Sequence, residues 1–217
     1  MYSEHFGIKE EPFSLTPNTK YFFCQGQYRD AYNVLLVSLR TGEGFVKITG
    51  EVGSGKTLLC RKVLNSLGPN HVSAFIPNPY LTPAALHIAL AEELGIPCDR
   101  FMDTNKLLNI ITKKLIDLNR SGQRIIIFLD EAQALPNESL EALRLLTNLE
   151  TETYKLLQVV MFGQPELDQR LATPATRQLM QRIAFSYQLN LLTYAEVEAY
   201  IRYRLQISGY TEEDLFT

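Results

Sequence analysis

A chain of 217 residues with 46% apolar side chains has room for one large α/β domain, or one domain and part of another, and is too apolar to be disordered. Lys and Arg number 21 against 24 Asp and Glu, a net charge of −3, which argues against nucleic acid held by bulk charge and leaves open only a local basic patch. The three cysteines, Cys24, Cys60 and Cys98, lie far apart without ligand spacing, which sets aside a disulfide framework or zinc cluster in favour of reduced thiols in a cytosolic protein.

The first stretch, MYSEHFGIKEEPF, carries charges and a proline where a secretory leader needs an apolar core, and no apolar run approaches the length of a membrane span. The chain reads as soluble, with any membrane contact made through a partner. Residues 1–26 lack periodicity and are rich in aromatics: Tyr2, Phe6, Phe13, Tyr21, Phe22 and Phe23. They read as an extended arm packed on the core. A sharper reading has part of the arm covering a nucleotide base, with one of these rings stacked on it.

Residues 28–39 place Ala31, Val34, Leu35 and Leu39 on one helical face, and glycines at 42 and 44 end that helix. Residues 45–59, FVKITGEVGSGKTLL, then read as a buried strand, a glycine-rich turn and the first turn of a helix. Gly50, Gly55, Lys56 and Thr57 complete the pattern G-x-x-x-x-G-K-[ST] of a phosphate-binding loop. Such a loop curls so that several N–H groups converge on one anion, and the helix after it adds the positive end of its dipole. Gly50, Glu51, Val52, Gly53, Ser54, Gly55, Lys56, Thr57 and Leu58 are therefore the expected nucleotide cradle. Lys56 would reach the β- and γ-phosphates, and the Thr57 hydroxyl would ligate Mg²⁺. A chance match in a Gly- and Ser-rich loop is the competing reading. Val46 and Ile48 before the motif, and Leu58, Leu59, Val63 and Leu64 at helical spacing after it, argue against chance.

Residues 71–76 predict a second strand, closed by Pro77-Asn78-Pro79. Thr82-Pro83 opens a helix with an N-cap and a proline at its first position, and Gly95 closes it. A helix follows over about 103–119, with Leu107, Leu108, Ile111, Leu115 and Leu118 inward. The run at 124–129 is a continuous apolar strand of the kind buried on both faces of a parallel sheet. Residues 137–149 predict a helix, 156–162 a strand, 165–171 and 175–181 short helices, and 185–191 a last strand. Strands alternating with helices imply a parallel sheet with right-handed crossovers.

Asp130-Glu131 directly follow the 124–129 strand. Beside a phosphate loop, two carboxylates there divide the work. Asp130 would hold Mg²⁺, mostly through water, alongside Thr57. Glu131 would orient or deprotonate the attacking water. A turn or capping aspartate is the bland alternative. Gln164 follows the 156–162 strand; if that strand neighbours the phosphate-loop strand, its amide reaches the γ-phosphate, and otherwise it caps the next helix. Arg182, with Arg177 in reserve, is the candidate finger inserted into a neighbouring subunit's site, against the plain reading of a surface charge.

Residues 193–217 change character. Thr193 and Glu196 form a capping box, and Val197, Tyr200, Ile201, Arg204 and Leu205 share one face up to Gly209. Thr211 with Asp214 resembles a second cap. These residues read as the beginning of a helical subdomain that continues beyond Thr217, giving an arm over 1–26, an α/β core over 27–192 and a helical start over 193–217.

With these residues in place the chain resembles the AAA+ ATPases, and more narrowly the ExeA (general secretion pathway protein A) family. The segments that carry the likeness are HFGIKEEPFSLTPN, GEVGSGKTLLCR, FLDEAQALPNESLEALRLLTNLET, KLLQVVMFGQPEL and RQLMQRIAFSYQLNLL. Within the family the likeness is greatest to the branch serving mannose-sensitive haemagglutinin (MSHA) type IV pilus biogenesis. The resemblance implies a P-loop α/β fold with a parallel sheet flanked by helices, ATP or ADP with Mg²⁺ as cofactors, and a homo-oligomer that forms on ATP binding. It also implies a cytoplasmic location and an inner-membrane pilus or secretion assembly protein as partner. By position, Lys56 and Thr57 match the Walker A pair, Asp130 and Glu131 the Walker B pair, Gln164 the sensor 1 place and Arg182 the finger. Gln164 departs from the usual Asn or Thr, and a sensor 2 arginine would lie past Thr217. A DNA-binding regulator like the transposition ATPases is the alternative, and it would need Arg177, Arg182, Arg202 and Arg204 to cluster. A small-molecule kinase fits less well, because a base placed for water would work against transfer to a hydroxyl. A scaffold that binds nucleotide without turnover is the bland remainder.

Overall fold

The computed structural model describes residues 5–14, 16–42, 44–99, 102–149 and 155–211. Its centre is a five-stranded parallel sheet in the order β2-β3-β4-β1-β5, built from β1 (Phe45–Gly50), β2 (His71–Ile76), β3 (Arg124–Leu129), β4 (Leu157–Gly163) and β5 (Ile183–Leu189). Helices α1 (Gly26–Thr41), α2 (Lys56–Ser66), α3 (Pro83–Glu93), α4 (Thr104–Arg120) and α5 (Asn137–Leu146) cover its two faces. The short α6 (Glu166–Leu171) and α7 (Arg177–Met180) lie between β4 and β5, and α8 (Tyr194–Ser208) follows the sheet.

The apolar pattern of the strands explains the layering. Successive side chains point to opposite faces, so a strand buried on both sides must be apolar throughout. Phe45, Ile125, Ile127, Val159 and Met161 pack under α3, α4 and α5 with Leu90, Ile111 and Leu143. Val46, Ile48, Phe128, Val160 and Phe162 pack under α1 and α2 with Leu35, Leu39, Leu59 and Val63. Every residue of β1 and β4 is buried, as central strands require, whereas edge strand β5 alternates.

Local signals decide where the helices begin. Thr82 Oγ1 accepts from the Ala85 N–H, the Asp103 carboxylate from the Lys106 N–H, and Thr193 with Glu196 closes a reciprocal capping box. The structure differs from the sequence reading in several places; the strand read at 156–162 covers 157–163 and the helix read at 175–181 covers 177–180. Strand β5 covers 183–189, not 185–191, because Ile183 pairs with Phe45; Leu191 lies past the strand, 61% exposed. Helix α5 stops at Leu146, where Thr147 ends it, instead of reaching Leu149. On α8, Val197 is 39% exposed while Arg204 and Leu205 are buried, so the inward stripe is narrower than expected. The cap proposed at Thr211 with Asp214, like Tyr2 of the arm, involves positions outside the described residues. Among the described residues Cys24, Cys60 and Cys98 are free thiols, and no helix is long and apolar enough to cross a membrane.

The arm packs against α8. The Lys9 N–H donates to the Ser208 carbonyl at 2.8 Å, Arg204 Nε donates to the Pro12 carbonyl, and Tyr203 donates to the Phe22 carbonyl at 3.1 Å. Phe23 stands edge-on to Tyr200, with ring centroids 5.8 Å apart.

Candidate nucleotide site

In an open parallel sheet, ligands bind outside the carboxyl ends of the strands, where the strand order reverses. The order β3-β4-β1 brings three such ends side by side: Gly50 closing β1, Asp130 after β3 and Gln164 after β4. The condition attached to Gln164 is met, since β4 pairs directly with β1 from Phe45↔Val159 to Thr49↔Gly163.

The loop between β1 and α2 is built on glycine. A Cβ at Gly50 would lie 2.7 Å from both the Leu189 carbonyl and Ser54 Oγ, closer than packing allows. Gly55, the residue before α2, has φ +81°, a left-handed conformation that disfavours side chains. Lys56 is only 5% exposed, and its ammonium donates to the carbonyls of Gly50 at 2.7 Å and Glu51 at 2.8 Å. Burial pulls Lys56 below the ordinary lysine range, against the opposing pull of Glu131 and Asp130. Ser54 is buried, and its hydroxyl meets no hydrogen-bond partner among the described residues.

Asp130 and Thr57 meet across the loop. Thr57 Oγ1 donates to Asp130 Oδ2 at 2.7 Å, and the Glu131 N–H donates to Asp130 Oδ1 at 3.1 Å. Asp130 is 4% exposed; burial raises its pKa, and the two donated hydrogen bonds only partly offset this. A hydroxyl beside a carboxylate is an oxygen-donor pair suited to a hard divalent cation. Among the described residues no cluster of three His, Cys, Asp or Glu gathers, so a cation here would draw its remaining ligands from phosphate and water.

Glu131 is the only described non-glycine residue with positive φ, at +54°. Its Oε2 accepts from Gln164 Nε2 at 3.1 Å and from Gln133 Nε2 at 2.5 Å. Gln133 carried no role in the sequence reading. The signal was a second amide two residues after Glu131, in LDEAQ, with no way to see that it folds back.

Lys56, Thr57, Glu131 and Gln164 line one cavity of about 370 Å³ with Ser14, Thr16, Pro17 and Asn18 of the arm and Arg204 of α8. The arm does reach the site, but through small polar residues. Of the six aromatics offered for base stacking, Phe13 stays 48% exposed, whereas Tyr21, Phe22 and Phe23 are buried in the protein. Each has an apolar surface that the core or α8 can cover, and this packing uses the rings up. Tyr21 borders only a neighbouring cavity of about 800 Å³ that shares the same stretch of arm.

Arg182 does not join this group. It sits just before Ile183, the partner of the first residue of β1, and so at the opposite end of the sheet, about 20 Å away for six residues of strand. Its guanidinium donates to Asn148 Oδ1 and to the Arg144 carbonyl. Arg177 is exposed. Arg204 is turned into the arm, its guanidinium over the rings of Phe13, Tyr21 and Tyr200, while Arg202 pairs with Glu198 at 3.1 Å. The four arginines that a DNA-binding reading needed together are thus divided between the α7–β5 junction and α8, with one of them buried.

The AAA domain family matches residues 39–171, a span from the end of α1 to the end of α6 that holds all three strand-end motifs. The chain belongs to the AAA domain family. This AAA domain is a P-loop ATPase domain in fold and motif. It is 44% identical over 209 residues to general secretion pathway protein A of Aeromonas hydrophila, covering 96% of this chain and 38% of that protein. The chain thus spans well under half the length of that relative. Among solved structures, it resembles Cdc6p of Pyrobaculum aerophilum with a TM-score of 0.68 at 19% identity, covering 92% of this chain and 54% of that one. It also resembles the Aeropyrum pernix ORC2 protein in its ADPNP-ADP complexes, with a TM-score of 0.64 at 18% identity over 86% and 52% of the two chains. The Aeropyrum pernix ORC1 protein in complex with DNA aligns with a TM-score of 0.63 at 21% identity over 90% and 51%. At these identities the likeness establishes the fold.

Proposed function

We propose that this AAA domain binds ATP with Mg²⁺, hydrolyses it within a homo-oligomer, and drives a step in assembly of a type II-like secretion complex or a type IV, MSHA-type pilus. The observation that carries the hydrolytic part is the convergence of Lys56, Thr57, Glu131 and Gln164 on one cavity at the carboxyl ends of three adjacent strands, with Asp130 joined to it by the hydrogen bond from Thr57. The secretion part rests on the 44% identity to general secretion pathway protein A, and the pilus part on the likeness of the motif segments to the pilus biogenesis protein MshM.

The loop N–H groups of residues 50–58 bind the phosphates, and Lys56 leaves its carbonyl partners to reach the β- and γ-oxygens. Thr57 Oγ1 and Asp130 Oδ2 are the oxygens that would hold Mg²⁺, which supplies charge neutralisation on the phosphates when bound. Glu131 accepts the proton of the attacking water. Gln164 donates to Glu131 and orients that water or the γ-phosphate. Arg182 of a neighbouring subunit completes the site by neutralising charge on the transferring phosphoryl group. Residues 1–26 act as an arm closing the cavity, residues 27–192 as the core and residues 193–217 as the start of a lid. The domain works in the cytoplasm, at the inner membrane only through a partner.

ATPase rate per subunit, measured against protein concentration beside a Glu131→Gln control, tests this reading. A rate that rises with concentration and vanishes in the control supports it. ATP binding without turnover at every concentration contradicts it.

A further inference from the structure

Gln133 ties together two strand ends that hydrolysis needs in register. Its Nε2 donates to Glu131 Oε2 at 2.5 Å, and its Oε1 accepts the Gln164 N–H at 3.0 Å. One side chain thus donates to the carboxylate after β3 and accepts from the backbone after β4. Glutamate has the reach but no donor; asparagine has both groups but is one methylene short.

The surroundings are built to fit this amide. A Cβ at Gly163 would lie 3.2 Å from Gln133 Oε1 and 2.8 Å from Leu167 Cδ2, so glycine at the strand end lets the amide and Leu167 sit where they are without shifting. The Gln133 carbonyl accepts from Arg170 of α6, and Arg170 also donates to Asn137 Oδ1 at 2.8 Å. Helix α6 is itself anchored to β1 by an ion pair between Asp168 and the buried Lys47. The turn after β3, the end of β4 and the phosphate-loop strand are therefore joined through Gln133 and α6.

We propose that Gln133 is the positioning residue of the hydrolytic centre: it fixes the Glu131 carboxylate by Oε2, so that Oε1 is the oxygen offered to water, and it locks that carboxylate to Gln164. This rests on the proposed hydrolysis and goes beyond it by assigning a task to a residue outside the Walker motifs. The left-handed backbone of Glu131 fits the same task. A strained conformer of a non-glycine residue persists only where its surroundings hold it, and here two amides hold it from the side-chain end.

The test uses the full chain with Gln133→Ala, Gln133→Asn and Gln133→Glu beside Glu131→Gln. Dissociation constants are measured with a fluorescent ATP analogue, and kcat and KM with ATP. Gln133→Ala is expected to keep nucleotide affinity within about twofold and to lower kcat up to about 100-fold, the scale of a misplaced reacting group. Gln133→Asn should not rescue it, and Gln133→Glu, which sets a carboxylate against Glu131, should be at least as slow. If kcat stays within about twofold of the parent in all three while Glu131→Gln is inactive, hydrolysis stands and the positioning role falls. Should the parent itself show no turnover, the hydrolytic reading fails, and side-chain amide NMR decides the clamp. In Glu131→Ala the Gln133 and Gln164 amide resonances should both move, and unmoved resonances overturn the proposal.

Discussion

The two ends of the sheet are built on opposite terms. At the carboxyl ends of β1, β3 and β4, Lys56, Thr57, Asp130, Glu131, Gln133 and Gln164 are wholly or mostly buried and bond to one another or to the loop backbone. At the amino end of β5, Arg182 is tied to the Arg144 carbonyl of α5 and to the Asn148 amide just past it, with exposed Arg177 and Met180 beside it. One end is closed by contacts within the chain; the other turns cationic and apolar groups outward. A buried polar group is costly unless partnered, so the first end specifies its own geometry. On the proposed reading, the second end acts on a neighbouring subunit through Arg182.

Substitutions at the first end are expected to have the largest effects. Lys56→Ala should weaken ATP binding at least about 100-fold in a titration, because the one cation of the cradle is lost. Glu131→Gln should retain binding and lower turnover by about 10²–10⁴, the usual contribution of a general base. At the other end, Arg182→Ala should bind ATP like the parent at low concentration and lose about 10³ of any concentration-dependent activation. Equal activation in this variant would erase the contrast between the two ends.

Smaller effects separate scaffold from site. Asp168→Ala leaves the Lys47 ammonium buried without its carboxylate. It should cost about 2–3 kcal/mol in chemical denaturation, less than a fully buried pair because Asp168 is partly exposed. Thr193→Ala removes the capping box of α8 and should cost about 1 kcal/mol. Asp130 is expected to act in the other direction. Its folded pKa is raised above the ordinary 3.8, so the folded state keeps a proton that the unfolded chain has released. Stability therefore falls as pH rises from the unfolded value through the folded one. Asp130→Asn should stabilise the nucleotide-free domain by about 1 kcal/mol at neutral pH in calorimetry while removing Mg²⁺-dependent turnover.

The contrast also explains what could be read from sequence. Residues 71–76 and 124–129 are apolar runs closed by turn residues, and both strands keep those bounds. Thr82 and Thr193 announce their helices through caps that act within three residues. Contacts distant in sequence were less visible. The start of β5 is decided by its pairing with Phe45, far back in the chain, not by its own composition. Gln133 meets the Gln164 N–H across 31 positions, and only the fold brings them together. The arm shows the same limit: Phe23 finds Tyr200 and Tyr203 on α8, while Ser14, Thr16 and Asn18 face the cavity.

The most direct test of the two-ended design mixes two inactive proteins. Arg182→Ala keeps its own Glu131, and Glu131→Gln keeps its own Arg182. At equal mixing about a quarter of the subunit contacts in a head-to-tail ring join an intact Glu131 to an intact Arg182. Turnover well above either variant alone, approaching that fraction of the parent rate, is the expected result. A mixture no more active than its components, at concentrations where the parent is active, would contradict a site shared between subunits.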